Sequence, residues 1–297
     1  MKHAHVLWWI FLGLWGCNNG PVVPEVTYEE LFSYTGLETD PLAPLTGERY
    51  LNSHTGLQST GWGVYEDIIF SGTDILWEMS HAQGPGRSDT SLWCAITGGD
   101  RYNNVFFTHT LAMAYEQDTW PYEELDSLVF ELDFYVEGSL DCENPDASTA
   151  EGLEFTWQHI LVPTSYGFGV QWSKGGEWRY YDDTKGPDGK PLAWRSFDPA
   201  ITTCLSAHEW HHLLLTGVMK GEGIAYREMH LDGAVYDLGS AEVGPATVPD
   251  SWVENFLQVG MQINGNQATD PSHGHGLDPV GVYLDRVELR GFVRIRP

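Results

Sequence analysis

Glu131, Asp133 and Glu154 are the carboxylates of this chain best placed to do chemistry, because each stands in a run of strictly alternating residues. Cleavage of a glycosidic bond needs two carboxyl groups, about 5–5.5 Å apart for retention of configuration or about 6.5–9.5 Å apart for inversion. In 128–136, Phe130, Leu132 and Phe134 face one way while Glu131, Asp133 and Tyr135 face the other. In 152–159, Leu153, Phe155 and Trp157 oppose Glu154, Thr156 and Gln158. The same alternation puts Gln171, Gln258 and Gln262 on faces away from the core. If these strands are neighbours, they lay down a strip of carboxylates and amides. Sugar hydroxyls suit such a strip, since each is both donor and acceptor. Trp172, Trp178, Tyr180 and Tyr181 flank a Lys174-Gly175-Gly176 turn and are the candidates for stacking on pyranose rings. The competing role for the tryptophans is packing in the core or across strands.

Metal chemistry has weaker support. His211 and His212 are adjacent on a strand-like run, so they point to opposite faces and do not share an ion. His273-Gly274-His275, with Asp270 and Asp278 nearby, has better ligand spacing but also reads as a plain Gly-rich connection. No Cys-x-x-Cys pair or Cys/His zinc cluster is present.

The elements that must position these residues are almost all strands. Period-2 alternation and Gly-rich turns dominate from about residue 49 onward, and no window carries a helical stripe. Trp210–Leu215 and Met229–Tyr236 read as an antiparallel pair, the second with an Asp232-Gly233 turn that supplies positive φ angles. Short strands at this spacing, in a chain of 297 residues with 42% hydrophobic content, predict an all-β two-sheet antiparallel sandwich over 49–297. Residues 18–48, with Pro21, Pro24, Pro41 and Pro44, read as a flexible tether holding a short helix around 28–32. The 42 acidic and 15 basic side chains give a formal net charge of −27, which repels phosphate backbones and disfavours nucleic acid and acidic polysaccharides as partners.

Residues 1–17 have the layout of a secretory signal: Lys2, then the apolar run 6–14, then Trp15-Gly16-Cys17. Gly16-Cys17 resembles the bacterial lipoprotein box, which implies acylation of Cys17 and a membrane partner through the lipid; Trp15 departs from the small residue of that pattern. The resemblance places the protein in the cell envelope, at the outer membrane or cell surface. Three cysteines then remain, with three pairings open. Cys142 and Cys204 both lie in polar loops and are the favoured pair, and Cys94 reads as a small apolar core residue.

The 130–136 strand, the Trp210–Tyr236 pair and the closing run 282–289 resemble, in that order, the concanavalin A-like lectin and glucanase superfamily of LamG-like jelly rolls. The resemblance covers roughly 60–292. It implies a jelly-roll sandwich, a glycan groove on one sheet, a mostly structural His211-His212 pair and, at Asp285, a position beside a structural Ca2+. The compact three-carboxylate motif of the jelly-roll glucanases is incomplete, because Glu131-Leu132-Asp133 is followed by Phe134, Tyr135 and Val136. Gln158-His159-Ile160 only scrambles the Gln-Ile-His element of jelly-roll alginate lyases. The leading expectation is a surface-tethered module that binds a neutral polysaccharide without catalysis, through Glu154, Gln158, Gln171, Trp172, Trp178, Tyr181, Gln258 and Gln262. The alternatives are a secreted hydrolase or lyase using Glu131, Asp133 and Glu154, and a structural envelope lipoprotein that binds other proteins.

Overall fold

The computed structural model describes residues 27–42, 61–67, 75–98, 104–113, 125–161, 163–185, 191–220, 223–239, 241–247, 256–265 and 279–295. The signal-like segment with Cys17, the remainder of the expected tether and the His273-Gly274-His275 loop lie outside them.

Among the described residues two antiparallel sheets face each other. Sheet A runs, edge to edge, β13 (Ala234–Asp237), β12 (Gly223–Leu231), β11 (Trp210–Lys220), β6 (Ser127–Glu137), β17 (Val280–Ile295), β4 (Thr90–Gly98) and β3 (Ile75–Gln83). β1 (Thr27–Tyr34) adds to β17, and β14 (Glu242–Val243) to β12. Sheet B runs β10 (Pro191–Thr202), β9 (Glu177–Lys185), β8 (Thr164–Ser173), β7 (Ala150–Leu161), β16 (Phe256–Gly265), β5 (Asn104–Met113) and β2 (Gly61–Asp67), with β15 (Ala246–Thr247) on β8. The chain is an all-β two-sheet antiparallel sandwich.

Alternation explains the core. Phe130, Leu132, Phe134, Leu213, Leu215, Val282 and Leu284 of sheet A meet Leu153, Phe155, Trp157, Phe168, Val170, Val259 and Met261 of sheet B, and all are buried. The ring centroids of Phe134 and Phe155 lie 4.7 Å apart across the two sheets, and Phe168 stacks on Tyr226 at 4.5 Å. Cys94 is a buried free thiol, and burial pushes its pKa up. The Asp232-Gly233 turn joins β12 to β13 with φ of 52° and 82°, as its sequence predicts.

Residues 27–42 correct the expectation of a tether with a helix. Edge pairing of Thr27–Tyr34 with 289–295 supplies backbone partners that an isolated helical turn of this length lacks, so the segment is strand β1. The stretch that follows latches both sheets together. Glu38 accepts a hydrogen bond from the Val287 amide of sheet A at 2.9 Å, and the Leu37 carbonyl accepts one from Trp62 Nε1 of sheet B at 2.7 Å. Asp40 bonds His109 Nε2 at 2.8 Å.

The Cys142–Cys204 disulfide is formed, with Cα atoms 6.0 Å apart. Both sulfurs pack beneath Gly176, where a Cβ would approach each to 3.2 Å. The bond therefore ties the loops around 142 and 204 to the β8–β9 turn, whose Gly176 carbonyl also accepts from the Thr203 amide.

Candidate functional site

The outward face of sheet B carries the candidate site. Because β10, β9, β8, β7, β16 and β5 are consecutive neighbours, their outward residues fall into rows that cross the strands. One row reads Phe106, Gln262, Glu154, Gln171, Arg179 and Ser196. The next reads Gly63, Thr108, Gly260, Thr156 and Gly169. A third reads Gly61, Thr110, Gln258, Gln158 and Gly167. The middle row holds only glycine and threonine, so it forms the floor of a shallow trough between two taller polar rows.

Lateral hydrogen bonds fix the walls. Glu154 Oε1 accepts from Gln171 Nε2 at 2.8 Å and from Asn264 Nδ2 at 2.7 Å. Gln262 donates to Asn264 Oδ1 at 3.0 Å. In the opposite wall, Gln258 donates to Gln158, and Thr108 donates to Gln258 Oε1 at 3.1 Å. Side chains lying along the sheet shield one another, which is why Glu154, Gln171 and Gln258 are buried while Gln158 and Gln262 stay partly exposed. Preformed amide and carboxylate rows of this kind lose little side-chain entropy when a hydroxyl-rich ligand arrives.

Apolar surface is present on the face as well. The ring of Phe106, half-buried, lies over Gly260, occupying the place a Cβ would take to within 2.5 Å of its Cε2. At the other end Tyr181 of β9 and Trp194 of β10 meet edge to face, 5.2 Å between centroids and 61° between planes. The β8–β9 ladder covers Val170–Trp172, and beside it, at Gly169, the Tyr226 hydroxyl reaches in from sheet A. That hydroxyl accepts from the Gly169 amide at 2.8 Å and lies 3.0 Å from the Gly169 carbonyl and 3.3 Å from that of Tyr181.

Five expected ligand-binding residues, Glu154, Gln158, Gln171, Gln258 and Gln262, come together here, with Tyr181 at the trough's end. Trp172, Trp178 and Tyr180 do not. All three are buried, because Gln171 and Arg179 take the outward positions and the alternation turns their neighbours into the core. Phe106, Thr108, Asn264 and Trp194 were missed by sequence reasoning. Alternation placed Asn264 and Thr108 in principle, but only strand order shows that they adjoin Glu154 and Gln258.

The expected catalytic trio is broken up. Glu131 and Asp133 lie on β6, on the outward face of sheet A, with the whole core between them and Glu154. There they serve an ion network. Asp133 accepts from Arg87 Nη2 at 2.7 Å and from His212 Nδ1 at 2.8 Å, and Arg286 Nε lies 3.2 Å away. Arg87 also pairs with Asp285 and lies 3.7 Å over the Trp210 ring. Burial opposes the Arg87 charge, yet the two carboxylates raise its pKa above the ordinary value. Glu131 pairs with Arg290. His211, turned inward, bonds Asp232 at 2.7 Å and the Ser206 carbonyl at 2.8 Å.

Asp285 does not fit a calcium site. Its Oδ2 is committed to Arg87 and its Oδ1 to the Arg286 amide, a donor set that already satisfies the carboxylate and places a cation where the ion would sit. Among the described residues no group of three or more His, Cys, Asp or Glu side chains is placed to hold a metal. A cleft of about 640 Å³ beside the disulfide is lined by 138–143 and 204–208. There Asp141 Oδ1 accepts from the amides of Glu143 and Asn144.

No protein-family model matches the chain, and no curated protein matches it. Solved structures that superpose include an endo-β-1,4-glucuronan lyase from the fungus Trichoderma reesei, at 12% identity over 76% of this chain and 94% of that one, with a TM-score of 0.42. A Bacillus licheniformis β-glucanase superposes at 12% identity over 79% and 99%, TM-score 0.32, and the winged bean acidic lectin at 10% over 79% and 100%, TM-score 0.37.

Proposed function

We propose that the protein binds a neutral polysaccharide in the trough of sheet B and does not cleave it. The observation that carries this reading is the continuous wall of Gln262, Glu154 and Gln171 facing Gln258 and Gln158 across a glycine and threonine floor. Each wall residue offers donors, acceptors or both toward sugar hydroxyls. Neutrality follows from charge: Glu154 stands at the centre, and Arg179, the guanidinium in the same row, is held by Glu177. A uronate would meet a carboxylate there with no free counter-charge on the described face.

Binding without cleavage is supported by how the acids are engaged. Glu177, another carboxylate on this face, is two strands and one row from Glu154, on the order of 12 Å between Cα atoms. Each is held by its own neighbours, Glu154 by Gln171 and Asn264 and Glu177 by Arg179 and Ser196. Glu177 is also held below the usual carboxylate range, by the Ser196 hydroxyl and then Arg179, so it is poorly suited to donate a proton. Both described histidines of β5 and β7, His109 and His159, are buried and out of phase with the outward rows. Retention on immobilised neutral polysaccharides, with reducing ends counted after long incubation, tests both halves. Retention without new reducing ends is expected; release of oligosaccharides contradicts the non-catalytic half, and failure to bind any neutral polysaccharide contradicts the whole.

The proposal includes export and a lipid on Cys17, which rest on the sequence alone. Labelled fatty acid should enter the wild type in a bacterial host and not Cys17→Ala; label retained by the variant contradicts the anchor.

A further inference from the structure

The trough has a direction and an end, and these point to the shape of its ligand. Its floor crosses consecutive strands in one line from Gly63 to Gly169, without a register shift between Thr108 and Gly169. Continued past Gly169, the same line meets Tyr181 and, on the next strand, its partner Trp194. Small residues thus give way to two large rings. Phe106 provides another ring nearer the opposite end, over Gly260.

We propose that the Tyr181–Trp194 pair is a terminal stacking subsite, and that the trough takes an extended, flat, β-1,4-linked chain of neutral pyranoses lying across the strands. This rests on the reading of the trough as a glycan site. Three observations carry it. Strands are spaced about 4.8 Å apart, close to the length of one pyranose, so Gly260 on β16 to Trp194 on β10 spans roughly four sugar residues. Polar walls stand on both sides of the floor, which matches a ribbon whose hydroxyls project from both edges; a coiled α-linked chain presents one edge at a time. The two ring platforms lie in or beside the floor, where a ribbon turns its apolar CH faces, and Trp194 and Tyr181 both keep part of their surface exposed.

Tyr226 acts here as a positioning residue. Its hydroxyl bonds the Gly169 amide and lies near the Tyr181 carbonyl, beside the short β8–β9 ladder, and so fixes the height of the floor where it meets the rings.

Affinity should therefore depend on chain length. Titration calorimetry with cello-oligosaccharides of three to six residues is expected to show affinity rising by about tenfold or more, then levelling once the chain reaches the ring pair. Trp194→Ala should flatten that dependence and Trp194→Tyr should restore most of it, with unchanged circular dichroism as the check on folding. Tyr181→Ala, which removes the partner ring from a different strand, should flatten it too. Malto-oligosaccharides of equal length should bind more weakly than cello-oligosaccharides. If length dependence survives in both alanine variants, or if malto- and cello-oligosaccharides bind alike, the terminal subsite or the ribbon assignment is overturned while the glycan site stands. If no oligosaccharide and no neutral polysaccharide binds, the underlying reading falls with it.

Discussion

Glu154 and Arg87 show how similar ionic groups do different work on the two faces. Glu154 accepts from two side-chain amides, and in the proposed site its carboxylate is the acceptor for a sugar hydroxyl. Glu154→Gln keeps the shape and removes the charge; oligosaccharide affinity is expected to fall about tenfold, roughly 1.4 kcal/mol, with the melting temperature little changed. Calorimetry of the variant checks this. Arg87 instead neutralises two carboxylates that are almost entirely buried. Removing one partner of a buried ion network leaves uncompensated charge, so Arg87→Met should cost about 3 kcal/mol in urea unfolding and leave glycan binding intact. A loss below about 0.5 kcal/mol would show that the network is ornamental.

At the scale of elements, the site depends on strand order and on how two loops are tied to the β8–β9 hairpin. The Cys142–Cys204 bond closes 62 residues of chain, and its loss through Cys204→Ser should cost roughly 2–4 kcal/mol of stability. Tyr226→Phe leaves the Gly169 amide without that partner, a loss of about 1–3 kcal/mol, and should raise exchange of the Gly169 amide hydrogen. Alternation made much of this legible in advance: the polar faces of β7, β8 and β16, and the β11–β12 pair, follow from period 2 alone. The same rule, applied one residue further, puts Trp172 and Trp178 inside once Gln171 and Arg179 are outside. Clustering around a turn was a poorer guide than phase. What alternation does not carry is which strand lies beside which. Glu131 and Glu154 have identical local patterns, yet β6 pairs with β11 and β17 while β7 pairs with β8 and β16. That choice is settled by long-range packing, and it decides that the carboxylates never meet. β1 shows the same effect on a smaller scale, since its strand state comes from β17 rather than from its own residues.

For the whole molecule, the sandwich separates two duties: sheet A anchors the latch and the ion network, and sheet B presents the trough. The latch and core also set a pH response. Burial lowers the His159 pKa to about 3, against about 6.5 for an unfolded imidazole. Between those values the unfolded chain binds the extra proton, so stability is full above about pH 6.5 and is lost as pH falls toward 3. Burial likewise lowers the His109 pKa, with Asp40 opposing the shift, which adds in the same direction. Melting temperatures between pH 7 and 4 should decline more steeply in the wild type than in His159→Gln, and equal slopes would contradict the assignment. The division of duties itself is tested most directly by affinity electrophoresis through gels containing a neutral β-glucan, comparing the wild type with Glu154→Ala and Gln258→Ala on sheet B and with Glu131→Ala on sheet A. The wild type and Glu131→Ala should be retarded alike, while both sheet B variants run free. Retardation that is lost in Glu131→Ala and kept in the sheet B variants would place the binding surface on the wrong sheet.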